Sequence, residues 1–78
     1  MAAILITGAA RGIGLALTSH FATRGDRVIA VCRKPSDELA QIEGIRVIDD
    51  IDVTTDSSVQ RLQALLDKQP LDILIHNA

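Results

Sequence analysis

The sequence predicts an α/β fold in which helices connect the strands of a parallel sheet. Four short apolar runs alternate with three stretches that carry helical periodicity or helix-capping residues. Apolar runs without polar alternation are typical of strands covered on both faces. Strands that alternate with helices are joined by right-handed crossovers into a parallel sheet. The expected order of elements is therefore β-α-β-α-β-α-β.

The first half of the chain provides two strands and one long helix. Residues 2–7 and 27–32 are apolar and are expected to form the first two strands. Between them, residues 15–23 are expected to be helical, and the glycine at residue 25 suits the end of that helix. Its apolar side chains recur at spacings of three and four: Ile13, Ala16, Leu17 and Phe21.

The second half repeats this alternation with shorter elements. Pro35, Ser36 and the acids that follow predict a short helix that ends near residue 42. Residues 45–49 and 71–75 are expected to form the third and fourth strands. The helix between them is expected to be capped by Asp56 or Ser57, with an apolar stripe further along the helix. That stripe consists of Val59, Leu62, Leu65 and Leu66.

A doubly wound sheet of these strands has the order 3-2-1-4. Its crossovers reverse direction between strands 1 and 4, and ligands of such sheets bind in the crevice at that point. The sequence TGAARGIG at residues 7–14 follows strand 1, and HNA at residues 76–78 follows strand 4. Both segments are therefore expected at the ligand-binding crevice.

Composition excludes several classes of partner and location. The 78 residues are 47% hydrophobic, carry a net charge of -2 and contain one cysteine. With no basic face and no polybasic run, neither nucleic acid nor a membrane surface is an expected partner. No apolar run reaches the length of about 18 residues that a membrane span needs. Without a signal peptide or a possible internal disulfide, we expect a soluble cytoplasmic protein.

The glycines at residues 8, 12 and 14 have the spacing of a nucleotide-binding turn. Gly8 lets the chain leave the strand sharply, Gly12 lets a phosphate approach the backbone, and Gly14 lets the helix pack closely. The first N–H groups of that helix would stabilise a negative charge. Leu15 and Ala16 stand where a loop of the NTPase type has Lys and Ser or Thr, which excludes that class. A glycine turn with a purely structural role has the same local pattern.

Four motifs in this order resemble the short-chain dehydrogenase/reductase family. They are TGAARGIG at 7–14, CR at 32–33, IDVT at 51–54 and LDILIHNA at 71–78, so the resemblance covers the whole chain. It implies a Rossmann-type fold that binds NAD(H) or NADP(H). Most family members transfer a hydride between the nicotinamide and a carbonyl or alcohol of a small-molecule substrate. The chain departs from the family's N-N-A-G motif at its first position, where it has His76.

The resemblance also assigns cofactor-binding positions. The turn is expected to hold the pyrophosphate, Asp52 and Val53 the adenine, and the end of the chain the ribose next to the nicotinamide. The residues implied at the turn are Gly8, Arg11, Gly12, Ile13 and Gly14, and those at the end are Asn77 and Ala78. The acids near Asp52 lack the glycine and distal glutamate of a calcium loop, so no metal site is expected.

The corner after strand 2 favours NADP(H) over NAD(H). An NAD site usually has an acid there that binds the ribose hydroxyls and repels a 2′-phosphate. This sequence has Cys32, Arg33 and Lys34 at that corner. Arg33 offers a planar fork to a 2′-phosphate and Lys34 a nearby point charge. The bland alternative is that both side chains only solvate a turn.

The sequence contains no tyrosine, which the family uses as the proton donor in Y-x-x-x-K. No catalytic residue is therefore expected, and the 78-residue chain alone is predicted to be inactive. Residues 1–78 resemble the N-terminal part of a single NAD(P)-binding domain, truncated after the fourth strand. A fragment, part of a longer product and a deliberate truncation all fit the sequence. So does a non-catalytic nucleotide-binding or interaction module.

Truncation after strand 4 would leave residues 71–75 as an exposed apolar edge. An unpaired edge of this kind can pair with a strand of another chain. We therefore expect the chain to form a homo-oligomer or to associate through that edge.

Overall fold

A computed structural model describes residues 2–67 and 69–77 as one four-stranded parallel sheet with helices on both faces. The strands have the order β3-β2-β1-β4, so the predicted order 3-2-1-4 is confirmed. The elements in chain order are β1 (Ala3–Thr7), α1 (Gly12–Thr23), β2 (Arg27–Val31), α2 (Asp37–Ala40), β3 (Ile45–Ile48), α3 (Asp56–Leu65) and β4 (Ile73–Ile75).

The pleat of the sheet divides the core between its two faces. Ile4 and Ile6 of β1 share one face with Val28 and Ala30 of β2, and side chains of α1 pack against this cluster together with Leu39 of α2. The other face is built from Leu5, Ile29, Val31, Ile48 and Ile51, against which Leu62 and Leu66 pack. The helices therefore change face after β3, which places the topological switch between β1 and β4.

Helix α1 differs from its predicted form in both its start and its buried face. It begins at Gly12 instead of residue 15, and Ile13 is 72% exposed. Its buried residues are Gly14 and Thr18, and the Thr18 hydroxyl donates to the Gly14 carbonyl at 2.8 Å. The close packing of Gly14 against the turn fixes the rotation of the helix, which directs Ile13 outward. The predicted apolar face was therefore wrong at Ile13 and at the exposed Ala16.

The caps of the two later helices show one confirmed prediction and one correction. Ser36 caps α2 as predicted, since its hydroxyl accepts from the Leu39 N–H at 3.2 Å. The cap of α3 was predicted to be Asp56 or Ser57, but it is Thr55, whose hydroxyl accepts from the Ser58 N–H at 3.4 Å. Thr55 has the extended backbone that a capping residue needs, whereas the helix already includes Asp56.

Strand β4 is shorter than predicted and lies at one edge of the described sheet. The strand covers Ile73–Ile75. At Asp72, just before it, the side chain takes the place of a backbone partner, since its Oδ2 accepts from the Ala3 N–H at 2.8 Å. Ile73 is 42% and Leu74 64% exposed, so the predicted apolar edge is present.

None of the described helices is both long enough and apolar enough to span a membrane.

Leu39 anchors the four-residue helix α2, and replacing it should destabilise the fold. Its side chain has no exposed surface, so Leu39→Ala should lower the free energy of unfolding by about 2–5 kcal/mol. Urea unfolding followed by circular dichroism measures this. Leu65→Ala, which truncates a leucine that is 41% exposed, is the control and should have a much smaller effect. Equal losses for both variants would contradict the proposed anchoring role.

Candidate functional site

A cleft of about 980 Å³ opens at the carboxyl ends of β1 and β2 and beside the residues that follow β3 and β4. It brings together most of the residues that the sequence predicted for cofactor binding. Those that line it are Gly8, Arg11, Gly12, Ile13, Arg33, Asp52, Val53 and Asn77. Gly14 is buried beneath the turn, and Ala78 lies outside the described residues. The position of the cleft is the one expected for ligands of a doubly wound sheet.

The turn after β1 presents bare backbone to this cleft. Gly8 and Gly12 have φ angles of 64° and 60°, which side-chain-bearing residues rarely adopt. A Cβ built on Gly12 would meet no atom within 4 Å, so the backbone there is open. No side chain of residues 2–67 or 69–77 caps the first turn of α1, and that turn contains no acid. Its N–H groups are thus free to bind an anion, and the cleft fits a dinucleotide's diphosphate.

Gly14 permits the close approach of three segments beneath the turn. A Cβ at Gly14 would collide with the Gly8 carbonyl and the Asn77 amide. That amide donates from Nδ2 to the Gly8 carbonyl at 3.1 Å. The turn after β1, the start of α1 and the residue after β4 are therefore packed as one unit. This packing is consistent with the reason predicted for Gly14.

The hydroxyl of Thr7 connects β1 to the residues after β4, a role that the sequence did not predict. Its hydroxyl accepts from the Asn77 N–H at 2.9 Å and lies 3.2 Å from Nδ1 of His76. The signal in the sequence was a single hydroxyl at the end of a wholly apolar strand, where a buried polar group needs partners. His76 itself is exposed.

The corner after β2 carries the two predicted cations. Arg33 and Lys34 are exposed and line the cleft, whereas Cys32 before them is 5% exposed. Burial, followed by the nearby Asp49 charge, raises the pKa of the Cys32 thiol. Cys32 therefore behaves as the small buried hydrophobe that the sequence indicated.

Backbone hydrogen bonds join this corner to the loop after β3. The Asp50 N–H donates to the Arg33 carbonyl at 3.0 Å, and the Ile51 N–H to the Cys32 carbonyl at 3.1 Å. Asp50 has a φ of 58°, a left-handed conformation that is uncommon for a residue with a side chain. The loop with Asp52 is consequently held next to Arg33.

Arg61 on α3 fixes the same loop from the other side, and sequence reasoning did not identify it. Its guanidinium Nη1 donates to the carbonyls of Asp49 and Asp50 at 2.8 and 3.1 Å. The local sequence around Arg61 gives no sign of these two bonds, because their acceptors lie 11 and 12 residues away in the chain.

Thr54 binds the carboxylate of Asp52 through two hydrogen bonds. Its Oδ1 accepts from the Thr54 hydroxyl at 2.6 Å and from the Thr54 N–H at 2.9 Å. These two bonds, with a smaller contribution from the Arg33 charge, hold the pKa of Asp52 below its ordinary value. Both described hydrogen bonds to its side chain fall on Oδ1, whereas its backbone carbonyl accepts from the N–H and the hydroxyl of Thr55. Thr54, which the sequence indicated only as a turn residue, thus orients a predicted site residue.

The fold and the cleft are those of a Rossmann-type α/β domain. Comparison with known proteins identifies its family. The family model for short chain dehydrogenase matches residues 2–78, and the chain belongs to this family of oxidoreductases.

Two curated relatives support the assignment. The chain is 41% identical over 80 residues to an uncharacterised short-chain type dehydrogenase/reductase of Sinorhizobium fredii, covering 96% of this chain and 15% of the relative. It is 36% identical to the 1-hydroxy-2-glutathionyl-2-methyl-3-butene dehydrogenase of a Rhodococcus strain, covering 100% of this chain. The chain therefore spans 15% and 35% of the length of these relatives.

Solved structures show the same fold. A short-chain dehydrogenase/reductase from Burkholderia multivorans with bound NADP superposes with a TM-score of 0.86 at 31% identity, over 99% of this chain and 36% of that one. A 4-hydroxyisoleucine dehydrogenase complexed with NADH superposes with a TM-score of 0.82 at 29% identity, over 95% of this chain and 32% of that one.

Removing the Thr54 hydroxyl should raise the pKa of Asp52. Thr54→Val keeps the side-chain shape and the backbone donor but removes the largest cause of the lowered pKa. Because the pKa of Asp52 is lower in the folded state than in the unfolded state, its bonds stabilise the loop fully at pH values above the unfolded-state pKa. This stabilisation is lost as the pH falls through the folded-state pKa. An NMR titration of the carboxyl carbons measures the shift. Thr54→Ser should keep the low pKa, and an unchanged pKa in Thr54→Val would contradict this assignment.

Proposed function

We propose that residues 1–78 are the cofactor-binding N-terminal part of a single NAD(P)-binding domain in an NADP(H)-dependent short-chain dehydrogenase/reductase. The intact enzyme would transfer a hydride between the nicotinamide and a carbonyl or alcohol of a small-molecule substrate. The observation that carries the proposal is the convergence of Arg11, Arg33 and Lys34 on one cleft that also contains an open glycine turn.

Binding of a nicotinamide cofactor is supported by family membership and by the shape of the cleft. One structural relative was solved with NADP and another with NADH. In this chain Gly8, Gly12 and the start of α1 would hold the diphosphate, and Asp52 and Val53 the adenine. Ile13, exposed at the turn, would also lie at the diphosphate, and Asn77, which lines the same cleft, would lie next to the ribose on the nicotinamide side. The cofactor, when bound, supplies or accepts the hydride.

The preference for NADP(H) is supported by charge. Arg33 and Lys34 are exposed at the end of β2, where an NAD site usually has an acid. Arg11 faces the same cleft from the turn. Asp52 lies in the loop that is bonded to this corner, and its Oδ1 accepts both hydrogen bonds from Thr54. Three cations would therefore attract a 2′-phosphate, which only NADP(H) carries.

The proton donor for the reaction would come from outside these 78 residues. The chain has no tyrosine to act in that role. We therefore propose that the chain alone binds the cofactor without turnover.

We also propose that the protein is cytoplasmic, because its single cysteine is buried and unpaired, as is usual in a reducing compartment.

We propose further that the chain associates with a second copy through β4. Leu74 projects from the face that α3 covers elsewhere, yet it is 64% exposed, and Ile73 on the opposite face is 42% exposed. Within the described sheet, β4 pairs only with β1, so its outer backbone groups are available to another strand.

Replacing Arg33 should remove most of the preference for the 2′-phosphate. Arg33→Ala should weaken NADPH binding about tenfold or more and change NADH binding little, since a hydrogen bond to a charged group contributes about 1.5–3 kcal/mol. Titration of both nucleotides by calorimetry measures this. Arg27→Ala, at the start of β2 and away from the cleft that follows its other end, is the matched control. A wild-type chain with equal affinity for NADPH and NADH would contradict the proposal, as would one that binds neither.

A charge on the outer edge of the sheet should block self-association. Leu74→Lys should shift the chain from oligomer to monomer, because a lysine at an edge opposes strand pairing. Sedimentation velocity at several concentrations measures the shift. The control is Val47→Lys at the opposite edge, where the side chain is 39% exposed, and it should leave the association unchanged. A monomeric wild-type chain at all concentrations would overturn the proposal.

A further inference from the structure

The hydroxyl of Ser36 joins two segments that are distant in sequence. It accepts from the Leu39 N–H at 3.2 Å, which caps α2. It also donates to the carbonyl of Ala10, in the turn after β1 and 26 residues away. Capping needs only the first of these bonds. The second bond therefore has a different consequence: it ties the start of α2 to the residue that precedes Arg11.

The short segment from Arg33 to Ser36 is held at both of its ends. At one end the Arg33 carbonyl accepts from the Asp50 N–H at 3.0 Å. At the other end Ser36 is bonded to the turn, and Leu39 just beyond it is completely buried in the core. Arg33 and Lys34 thus belong to a segment, residues 33–36, that is fixed by hydrogen bonds at both of its ends.

The segment 33–36 and the turn after β1 carry charges of the same sign, which repel one another. Arg11, Arg33 and Lys34 are all exposed cations that line the same cleft. Like charges repel, so these side chains oppose close approach of the turn to the segment 33–36, and the nearby Asp52 carboxylate offsets only part of this at Arg33. The bond from Ser36 to Ala10 is a direct tie across that gap. Ser36 itself does not line the cleft, so it acts on a ligand only through its neighbours.

We propose that Ser36 is a positioning residue for cofactor discrimination. By tying Ala10 to the start of α2, it holds Arg11 at a fixed place relative to Arg33 and Lys34. The three cations then converge on one phosphate without a reorganisation cost at the moment of binding. This inference rests on the proposed preference for NADP(H) and adds to it a residue that contacts no part of the cofactor.

The test compares two nucleotides that differ only in the 2′-phosphate, adenosine 2′,5′-bisphosphate and AMP. All the residues proposed for the adenine half lie within the 78-residue chain, so the full chain is titrated with each probe by calorimetry. Ser36→Ala should weaken adenosine 2′,5′-bisphosphate about fivefold and AMP less than about twofold, as expected for the loss of one bond. Ser36→Thr keeps the hydroxyl and should restore the wild-type ratio.

Two further variants separate positioning from capping. Ser36→Gly removes the same hydroxyl at little cost to the helix, because glycine is tolerated at a helix N-cap, and it should show the same selective loss even if Ser36→Ala unfolds. Ser57→Ala, an exposed serine in the first turn of α3, is the matched control and should change neither affinity.

The outcomes distinguish this inference from the proposed function. If the wild-type chain binds both probes equally, the NADP(H) preference fails and Ser36 has nothing to discriminate. If the wild type prefers the bisphosphate and both hydroxyl-free variants keep that preference, only the inference about Ser36 is overturned. An equal loss for both probes would show a merely structural cap and would overturn it too.

Discussion

The contact on which the rest of the structure depends is the close packing of Gly8 and Gly14 against each other and against Asn77. Any Cβ at either glycine would collide with the backbone or the amide of the facing residues. Because this contact is so close, α1 starts directly after the turn, and Gly12 and Ile13 of its first turn line the cleft. The hydrogen bonds of Asn77 to Thr7 and Gly8 then fix the end of β4 to the same place. The end of the cleft at the turn is thus made by close packing of two glycines against Asn77, and the exposed side chains of Arg11, Arg33 and Lys34 surround it.

The loops that line the rest of the cleft are bonded to one another. The corner with Arg33 is joined to the loop after β3 by backbone hydrogen bonds, and Arg61 holds that loop against α3. The bonds from Thr54 lower the pKa of Asp52, which lies next to this corner. The corner after β2 and the loop after β3 therefore share one hydrogen-bonded framework.

The sequence predicted the strand order and the location of the cleft because both follow from local patterns. Apolar runs, caps and glycines each depend on a few neighbouring residues, as at Ser36 and Gly12. It failed where the outcome depends on packing between distant segments. Ile13 fits the apolar face of α1 by spacing, but the contact of Gly14 with the turn rotates it outward. Likewise, the roles of Thr7 and Arg61 arise from partners up to 70 residues away, which no local pattern specifies.

The position of β1 has a consequence for the order in which the fold can form. This first strand is central, and its neighbours β2 and β4 begin 24 and 69 residues later in the register. While the ribosome is still producing residues before β4, β1 can have a partner on one side only. Contacts across such long separations are slow to form because loop closure precedes them. The contact of Asn77 with Thr7 and Gly8 therefore forms late, after the residues that follow β4 have left the exit tunnel.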